Sequence, residues 1–192
     1  PNKIPYTFPI ITALLEPLFF KSKIIPIHIV LGGVVLIGVF ILAPEFNLES
    51  SNVKGILFGL FSALCYSIRL LILKQHVNHY HGSMLMLYQT SVITIVLIPV
   101  LFFMDVSNFQ SQFPYLLVLA ILTTAIGHSL MVHSLKFFST TTATIISSIQ
   151  PIFGIVIAFF VVGEIPEINT VWGGLLIIST VLIETLRVKK GS

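Results

Sequence analysis

The chain contains little charge. Lys, Arg, Asp and Glu account for 9% of its 192 residues, whereas 56% of the residues are hydrophobic. A soluble domain carries about 25% charged residues, so the polar residues here are too few to cover the surface of a water-soluble globule. The composition therefore excludes an ordinary soluble domain and predicts an integral membrane protein whose main partner is the lipid bilayer.

Catalytic and metal-binding patterns are also scarce. The one cysteine, Cys65, lies inside an apolar stretch, so the chain has no disulfide framework and no CxxC metal site. The apolar stretches contain no aspartate, no Ser–His or Cys–His arrangement that could be defended as catalytic, and no Walker motif. Three histidines of one loop, His76, His79 and His81, match no strong metal-binding spacing. We predict no catalytic residues, no metal and no cofactor.

Apolar stretches fill almost the whole chain. Crossing the hydrocarbon core takes about 20 mostly apolar residues, and a helix satisfies its own backbone hydrogen bonds in lipid. The segments of alternating polarity that are typical of a membrane β-barrel are absent. We predict an all-α integral membrane protein with about seven transmembrane helices, near residues 6–20, 25–43, 54–74, 83–103, 114–135, 141–162 and 168–187.

The basic residues predict the orientation. If the C-terminus lies in the cytoplasm, only Lys3 and Lys54 fall outside, as the positive-inside rule requires. This topology explains the basic character of the chain, so we expect no nucleic-acid partner. We predict a multi-pass protein of the plasma (inner) membrane. Acidic residues collect outside, at Glu45, Glu49, Asp105, Glu164 and Glu167, and the other basic residues lie inside, at Lys21, Lys23, Arg69, Lys74, Lys136, Arg187, Lys189 and Lys190.

The first two spans resemble the last two. In the first copy 23 residues separate Pro9 from the pair Gly32-Gly33, and in the second 22 separate Pro151 from Gly173-Gly174. The two copies run in opposite directions, as in the inverted repeats of transporters. The spacing predicts five helices per repeat. Residues 1–44 would then hold the last two helices of one repeat, and residues 53–190 the whole of the other.

A series of short motifs, in the same order along the chain, resembles EamA-type transporters of the drug/metabolite transporter superfamily. The resemblance to the second repeat of this family is carried by Ala120–His128, Leu135–Thr140, Ser148–Phe153 and Gly163-Glu164, and the resemblance to the first by Tyr6–Ile10 and Leu14–Leu18. It implies ten helices in two inverted five-helix repeats, cytoplasmic termini and a central cavity that both repeats build.

The chain departs from this family in two ways. About three helices at its start are absent, so we expect the cavity to need the N-terminal helices of a full-length chain, or a second copy in a homodimer. In addition, Lys21-Ser22-Lys23 stands where the first repeat would match Gly163-Glu164.

Polar side chains inside the spans are the candidates for a site, because they are costly in lipid. Because the helices alternate in direction, these polar side chains are expected to lie at a similar depth in the membrane. For Arg69 this depth is about 7 Å from the midplane, toward the cytoplasm. Snorkelling of Arg69 to the headgroups and an interhelical role for His128 are the structural alternatives. The predicted substrate-binding residues are Tyr66, Arg69, Tyr88, Gln89, His128, Ser147 and Gln150.

Other polar residues and prolines have separate predicted roles. Glu16 and His128 are candidates for proton coupling, although Glu16 would also reach Lys21 or Lys23. Pro9 and Pro151 are predicted helix kinks. Glu184 lies at helical spacing from Arg187 near the membrane edge, which predicts a structural ion pair.

These features favour a secondary transporter that moves a small metabolite by alternating access. The solute would be amino acid-like or another zwitterionic or anionic compound, or the chain would export drugs. A scaffold or helper subunit that completes a partner is the alternative. A retinal protein is disfavoured because no lysine lies deep in a span, and an intramembrane enzyme because no catalytic cluster exists.

Overall fold

The computed structural model describes residues 7–42, 50–103 and 109–191, and most of these residues are helical, with no strand among them. The predicted all-α membrane class is confirmed. Lys3, Glu45, Glu49 and Asp105, which entered the orientation argument, lie outside the described residues, as does the side chain of Lys54.

The helices follow one another with short connections. The segments Ala120–His128 and Ala158–Val162 have π-helical geometry, and Ile98–Phe102 is a 3₁₀ helix. The α-helices are α1 (Phe8–Phe20), α2 (Pro26–Leu42), α3 (Ser50–His76), α4 (Gly82–Leu97), α5 (Phe109–Leu119), α6 (Ser129–Ser134), α7 (Thr140–Ser147), α8 (Gln150–Ile157) and α9 (Ile168–Gly191).

Length and composition allow five of the described stretches to cross a membrane. These are Leu57–His76, Gly82–Val100, Gln112–Ser134, Thr140–Val162 and Ile168–Lys190, and they coincide with the last five predicted spans. The apolar helices α1 and α2 have 13 and 17 residues, which rise about 20 and 26 Å against a hydrocarbon core of about 30 Å. A total of seven spans therefore stays a prediction.

Two compact units form within the chain. One contains the residues up to Leu71 together with those from Ser139 onward, and the other is Ile72–Phe138. The units reflect contacts in the folded chain, whereas the predicted repeats 1–44 and 53–190 reflect sequence similarity. The division into repeats therefore stays a prediction.

The core of the first unit lies between α2 and α9. Val35 and Val39, one turn apart on α2, pack against Ile177 and Val181, one turn apart on α9. Contacts near the two ends of these helices show that they run antiparallel, since Gly38 meets Gly173 and His28 meets Arg187. Apolar packing thus covers the middle of the pair, and polar contacts lie at one end.

Glycines bring the backbones of α2 and α9 close together. A Cβ atom on Gly173 would lie 2.6 Å from the carbonyl oxygen of Gly38, and one on Gly38 would lie 2.9 Å from Ile177 Cγ1. Real Cβ atoms do not approach other atoms so closely. The helices therefore cross at a small-residue contact, as helices in membranes often do.

The two glycine pairs singled out in the sequence each have a packed first position, against α1 for the first pair and against α2 for the second. In each pair the first glycine is in contact, Gly32 with Ile10 and Gly173 with Gly38, whereas a Cβ on Gly33 or Gly174 would meet nothing within 4 Å. One helix face is therefore packed through glycine in both copies, and the neighbouring position is open.

The hairpin connections have a further similarity. Lys21 and Gly163 each lie 12 residues after a proline, Pro9 and Pro151. Both adopt the left-handed conformation, with φ of 49° and 76°, and both end a helical segment. Glycine takes this conformation without steric cost, whereas a residue with a Cβ does so at a cost of about 1 kcal/mol or more.

The span Thr140–Val162 is interrupted near its middle. Helix α7 ends at Ser147, a turn covers 148–149, and α8 begins at Gln150. Because Pro151 has no N–H, it cannot donate to the carbonyl of Ser147. The Ser148 hydroxyl donates to Ile145 O at 2.5 Å, within its own helix. Pro9, in contrast, lies in the first turn of α1, a position that tolerates proline.

The second unit packs the start of α4 against α6. A Cβ on Gly82 would lie 3.0 Å from the backbone nitrogen of His133, so glycine permits this approach. Lys74 Nζ donates to the carbonyl oxygens of Leu135 and Phe138 at 2.5 and 2.9 Å, just after α6. A lysine there satisfies carbonyls that the helix end leaves without partners.

Candidate functional site

A buried carboxylate, that of Glu184, joins three helices of the first unit. Its side chain is 0% exposed. Oε1 accepts hydrogen bonds from Thr142 Oγ1 on α7 at 2.6 Å and from Arg187 Nη2 at 2.7 Å, and Oε2 accepts from Arg187 Nε at 2.9 Å. The two-point contact with Arg187 is the strong, geometrically specific form of this ion pair. The structural pairing of Glu184 with Arg187 is present as expected.

His28 of α2 completes this cluster. Its Nε2 lies 2.5 Å from Arg187 Nη2 and 3.2 Å from Glu184 Oε1. Since a guanidinium only donates hydrogen bonds, the shorter contact assigns Nε2 as an acceptor and the ring proton to Nδ1. Arg187 Nη2 then donates to both the histidine and the carboxylate. The cluster of His28, Thr142, Glu184 and Arg187 thus ties α2, α7 and α9 together at one end.

A second carboxylate, that of Glu16 on α1, lies at the beginning of α7. Its two oxygens accept hydrogen bonds from the backbone N–H groups of Thr140 and Thr141, at 2.7 and 3.0 Å. The N-terminus of a helix favours negative charge, and Ser139 caps the same turn by accepting from Thr142 N at 3.1 Å. These amides, and not the nearby lysines, are the partners that the structure gives Glu16.

Hydroxyl groups connect α1 with α3. Thr12 and Ser67 are both 0% exposed. Thr12 Oγ1 lies 2.7 Å from Phe8 O and 3.0 Å from Ser67 Oγ, and Ser67 Oγ lies 2.9 Å from Ala63 O. Each hydroxyl is therefore satisfied by backbone and by the other hydroxyl, which suits a packing contact between helices in lipid.

The two predicted ligands on α3 are adjacent. The Arg69 guanidinium lies over the Tyr66 ring, 5.5 Å from its centroid, and both residues are half-buried. The Tyr66 ring also makes an edge-to-face contact with Phe8 at 5.2 Å between centroids. The ring is therefore fixed on one side by α1 and lies against the cation of Arg69, an arrangement that favours a charged guanidinium.

Ser147 and Gln150 lie on either side of the break between α7 and α8. Ser147 Oγ donates to Ala143 O of its own helix at 2.8 Å. Gln150 begins α8 and its side chain is exposed. An interrupted helix leaves backbone groups for a ligand or a neighbour, so the break is the point in this span best suited to polar contacts.

The remaining predicted ligands belong to the second unit. His128 is half-buried at the end of the first π segment, and its Nδ1 donates to Thr123 O at 2.7 Å. Isolated π turns within helices occur frequently at functional sites. Tyr88 is 60% exposed and Gln89 is half-buried. The convergence of these residues with Arg69 in one polar layer stays a prediction.

Some polar residues of the first unit were not predicted from the sequence. His28, Thr142, Thr12 and Ser67 contribute to the buried networks. Their partners lie up to 159 residues away along the chain, and no spacing rule relates such positions. The sequence held a weak signal for His28, because an ionisable residue inside the predicted span 25–43 is costly in lipid and calls for a partner. Across the described residues no group of three or more His, Cys, Asp or Glu side chains has a geometry for metal binding.

Comparison with known proteins gives the family. The model of the EamA-like transporter family matches residues 53–185, more than half of the chain. No curated protein and no solved structure matched the chain. The match includes α3 with Tyr66 and Arg69, both π segments and most of α9. Together with the five apolar helices long enough to span a bilayer, this shows that the chain is a multi-pass membrane protein and belongs to the EamA-like transporter family, a family of transporters and not of enzymes.

Proposed function

We propose that the protein is a secondary transporter of a small zwitterionic or anionic metabolite, with amino acid-like compounds as the first candidates. The observation that carries this proposal is the half-buried Arg69 guanidinium, which lies over Tyr66 within the apolar stretch Leu57–His76. A fixed cation inside a span is costly unless it serves a substrate or a structural partner. A planar guanidinium would bind a carboxylate or phosphate through two hydrogen bonds.

In this proposal alternating access depends on two inverted repeats. The left-handed residues Lys21 and Gly163 at equivalent positions support the repeat relationship, as does the shared use of the first glycine in each glycine pair. Inverted repeats place the substrate near the bilayer midplane and let one bundle rock against the other. The proposed setting is the plasma membrane, with the C-terminus in the cytoplasm.

The other proposed substrate contacts are Ser147 and Gln150 at the break, with Tyr88, Gln89 and His128 from the second unit. Proton coupling would use Glu16 or His128. The carboxylate of Glu16 accepts two backbone hydrogen bonds, and protonation would weaken them because a neutral acid is a poorer acceptor. Such a change would loosen α1 from α7, which is the kind of helix movement that a transport cycle needs.

Exchange measurements in proteoliposomes test this function. The full-length natural protein is reconstituted, and the uptake of labelled amino acids is measured one at a time against an internal amino acid mixture. We expect Arg69→Ala and Gln150→Ala each to abolish exchange while the protein stays folded. The matched control is Gln75→Ala, since Gln75 is exposed near the end of α3. Unchanged exchange in both variants would contradict the proposed site.

The scaffold alternative has its own outcome in the same experiment. If folded, reconstituted protein exchanges none of the amino acids tested and none of a set of fluorescent drug-like cations, the transport proposal fails for these classes. The helper role would then be preferred.

A further inference from the structure

The end of the α2–α9 pair that holds Glu184 also carries a group of exposed lysines. The contact of His28 with Arg187 places the start of α2 beside the last turns of α9. Lys21 and Lys23 stand in the connection just before α2, and Lys189 and Lys190 follow Arg187 on α9; all four side chains are exposed. Lys190 lies only about 4.5 Å beyond Arg187 along the helix axis.

Arg187 is held in a fixed orientation within this group. Its Nε and Nη2 are bound to the buried carboxylate of Glu184, and Nη2 also contacts His28. The side chain is nevertheless 35% exposed. Of the five N–H groups of a guanidinium, those of Nη1 take no part in the hydrogen bonds that the described residues make with it. The buried contacts therefore fix the position of the guanidinium while part of the side chain stays accessible.

Lys21 occupies its place at a steric cost. It has φ of 49°, the left-handed conformation that glycine adopts at the equivalent position, Gly163. A strained residue that glycine would replace without cost points to a function for its side chain. Among the described residues at this end, the carboxylates are those of Glu16 and Glu184, which already bind α7 amides and Arg187 respectively. The cations of the group therefore outnumber the carboxylates.

Exposed apolar side chains on the helices that carry or precede the cations offer surface for an acyl chain. Leu182 and Leu186 lie one turn apart on α9 and are 56% and 59% exposed. Leu18, in the last turn of α1, is 75% exposed. A ligand that placed an anion on the basic group and hydrocarbon along these leucines would satisfy both surfaces, and a phospholipid has this form.

We propose that Lys21, Lys23, Arg187, Lys189 and Lys190 bind the phosphate headgroup of an anionic phospholipid. Arg187, oriented by Glu184 and His28, would donate to the phosphate oxygens, and the lysines would add attraction that depends on net negative charge. Basic groups at the membrane surface between helices are suited to such headgroups. This site is independent of the proposed substrate site.

Native mass spectrometry of the detergent-purified protein tests the proposal. The protein is incubated with phosphatidylglycerol or with phosphatidylcholine of the same acyl chains, and the bound lipid is counted. We expect phosphatidylglycerol to be retained at least tenfold better. Inorganic phosphate at equal concentration should not displace it, because free phosphate makes no contact with the leucines.

Variants separate headgroup binding from folding. Lys21→Gly should keep or raise the melting temperature, because glycine removes the steric cost, yet lower the affinity for phosphatidylglycerol about fivefold. Adding Lys189→Gln and Lys190→Gln should lower it about a hundredfold. The charge-matched control, Lys54→Gln, removes a lysine that the positive-inside rule places on the opposite side of the membrane, and it should leave retention unchanged. Equal retention of the two lipids, unchanged retention in the triple variant, or displacement by inorganic phosphate would each overturn the proposal.

Discussion

At the scale of single residues, Glu184 and Arg187 have unequal environments although they form one ion pair. Glu184 is 0% exposed, whereas the Arg187 side chain is 35% exposed. Removal of one partner of a buried pair is costly because it leaves a charge that water does not solvate. The arginine can reach water or headgroups when it loses its partner, but the carboxylate cannot. The two single substitutions should therefore differ in their effect on stability.

We expect Arg187→Met to destabilise the protein by about 3–5 kcal/mol, and Glu184→Gln by about 1–2 kcal/mol. In Glu184→Gln the side chain still accepts from Thr142, whereas in Arg187→Met a buried carboxylate loses its cation. Melting temperatures of the purified proteins in one detergent measure the difference. The double variant should be more stable than Arg187→Met alone, because its buried group is neutral. A double variant less stable than both single variants would contradict this account.

This cluster also shows what the sequence predicts at residue scale. The spacing of three residues between Glu184 and Arg187 predicts their pairing, since such residues share a helix face. His28 and Thr142 lie 156 and 42 residues from Glu184, so their contribution depends on how α2 and α7 pack against α9. Local periodicity contains no information on that packing, and the buried cluster was accordingly not predicted as a whole.

At the scale of secondary-structure elements, the apolar runs of the sequence predict where the helices lie. They do not predict the irregularities within those helices. The last five predicted spans match the structure within a few residues, because hydrophobic length determines which segments cross lipid. The break at 148–149 has a visible cause in Pro151, but the π segments have none that the sequence displays. The predicted first span, residues 6–20, likewise agrees with α1, which runs from Phe8 to Phe20.

The crossing of α2 and α9 gives a prediction for this scale. Gly173→Ala should destabilise the protein by about 1–3 kcal/mol, because its Cβ would lie 2.6 Å from Gly38 O and the helices would have to separate. The neighbouring variant Gly174→Ala is the matched control, since nothing lies within 4 Å of its Cβ, and the helix propensity of alanine should make it neutral or slightly stabilising. The melting temperatures of both variants give the comparison. Equal effects of the two substitutions would show that the crossing is loosely packed.

At the scale of the whole molecule, the family match covers residues 53–185, and the proposed inverted repeat would relate this region to α1 and α2. The repeat was predicted from a proline and a pair of glycines at matching spacing in each copy. The structure adds the left-handed residue at the end of each hairpin helix and the common use of the first glycine. These similarities concern backbone geometry. The opposite orientation of the two copies is a separate claim, which depends on where the polar breaks lie relative to the membrane.

Cysteine labelling tests that orientation directly. Ser22 and Glu164 each follow the left-handed residue of one copy and are exposed, so they are equivalent positions that inverted topology places on opposite sides of the membrane. In a background in which the one native cysteine, Cys65, is changed to alanine, we expect Glu164→Cys to react with a membrane-impermeant maleimide on intact cells. Ser22→Cys should react only after permeabilisation, because the positive-inside rule places Lys21 and Lys23 in the cytoplasm. Labelling of both positions from one side would contradict the inverted repeat, whereas the reverse pattern would preserve the repeat and place the C-terminus outside.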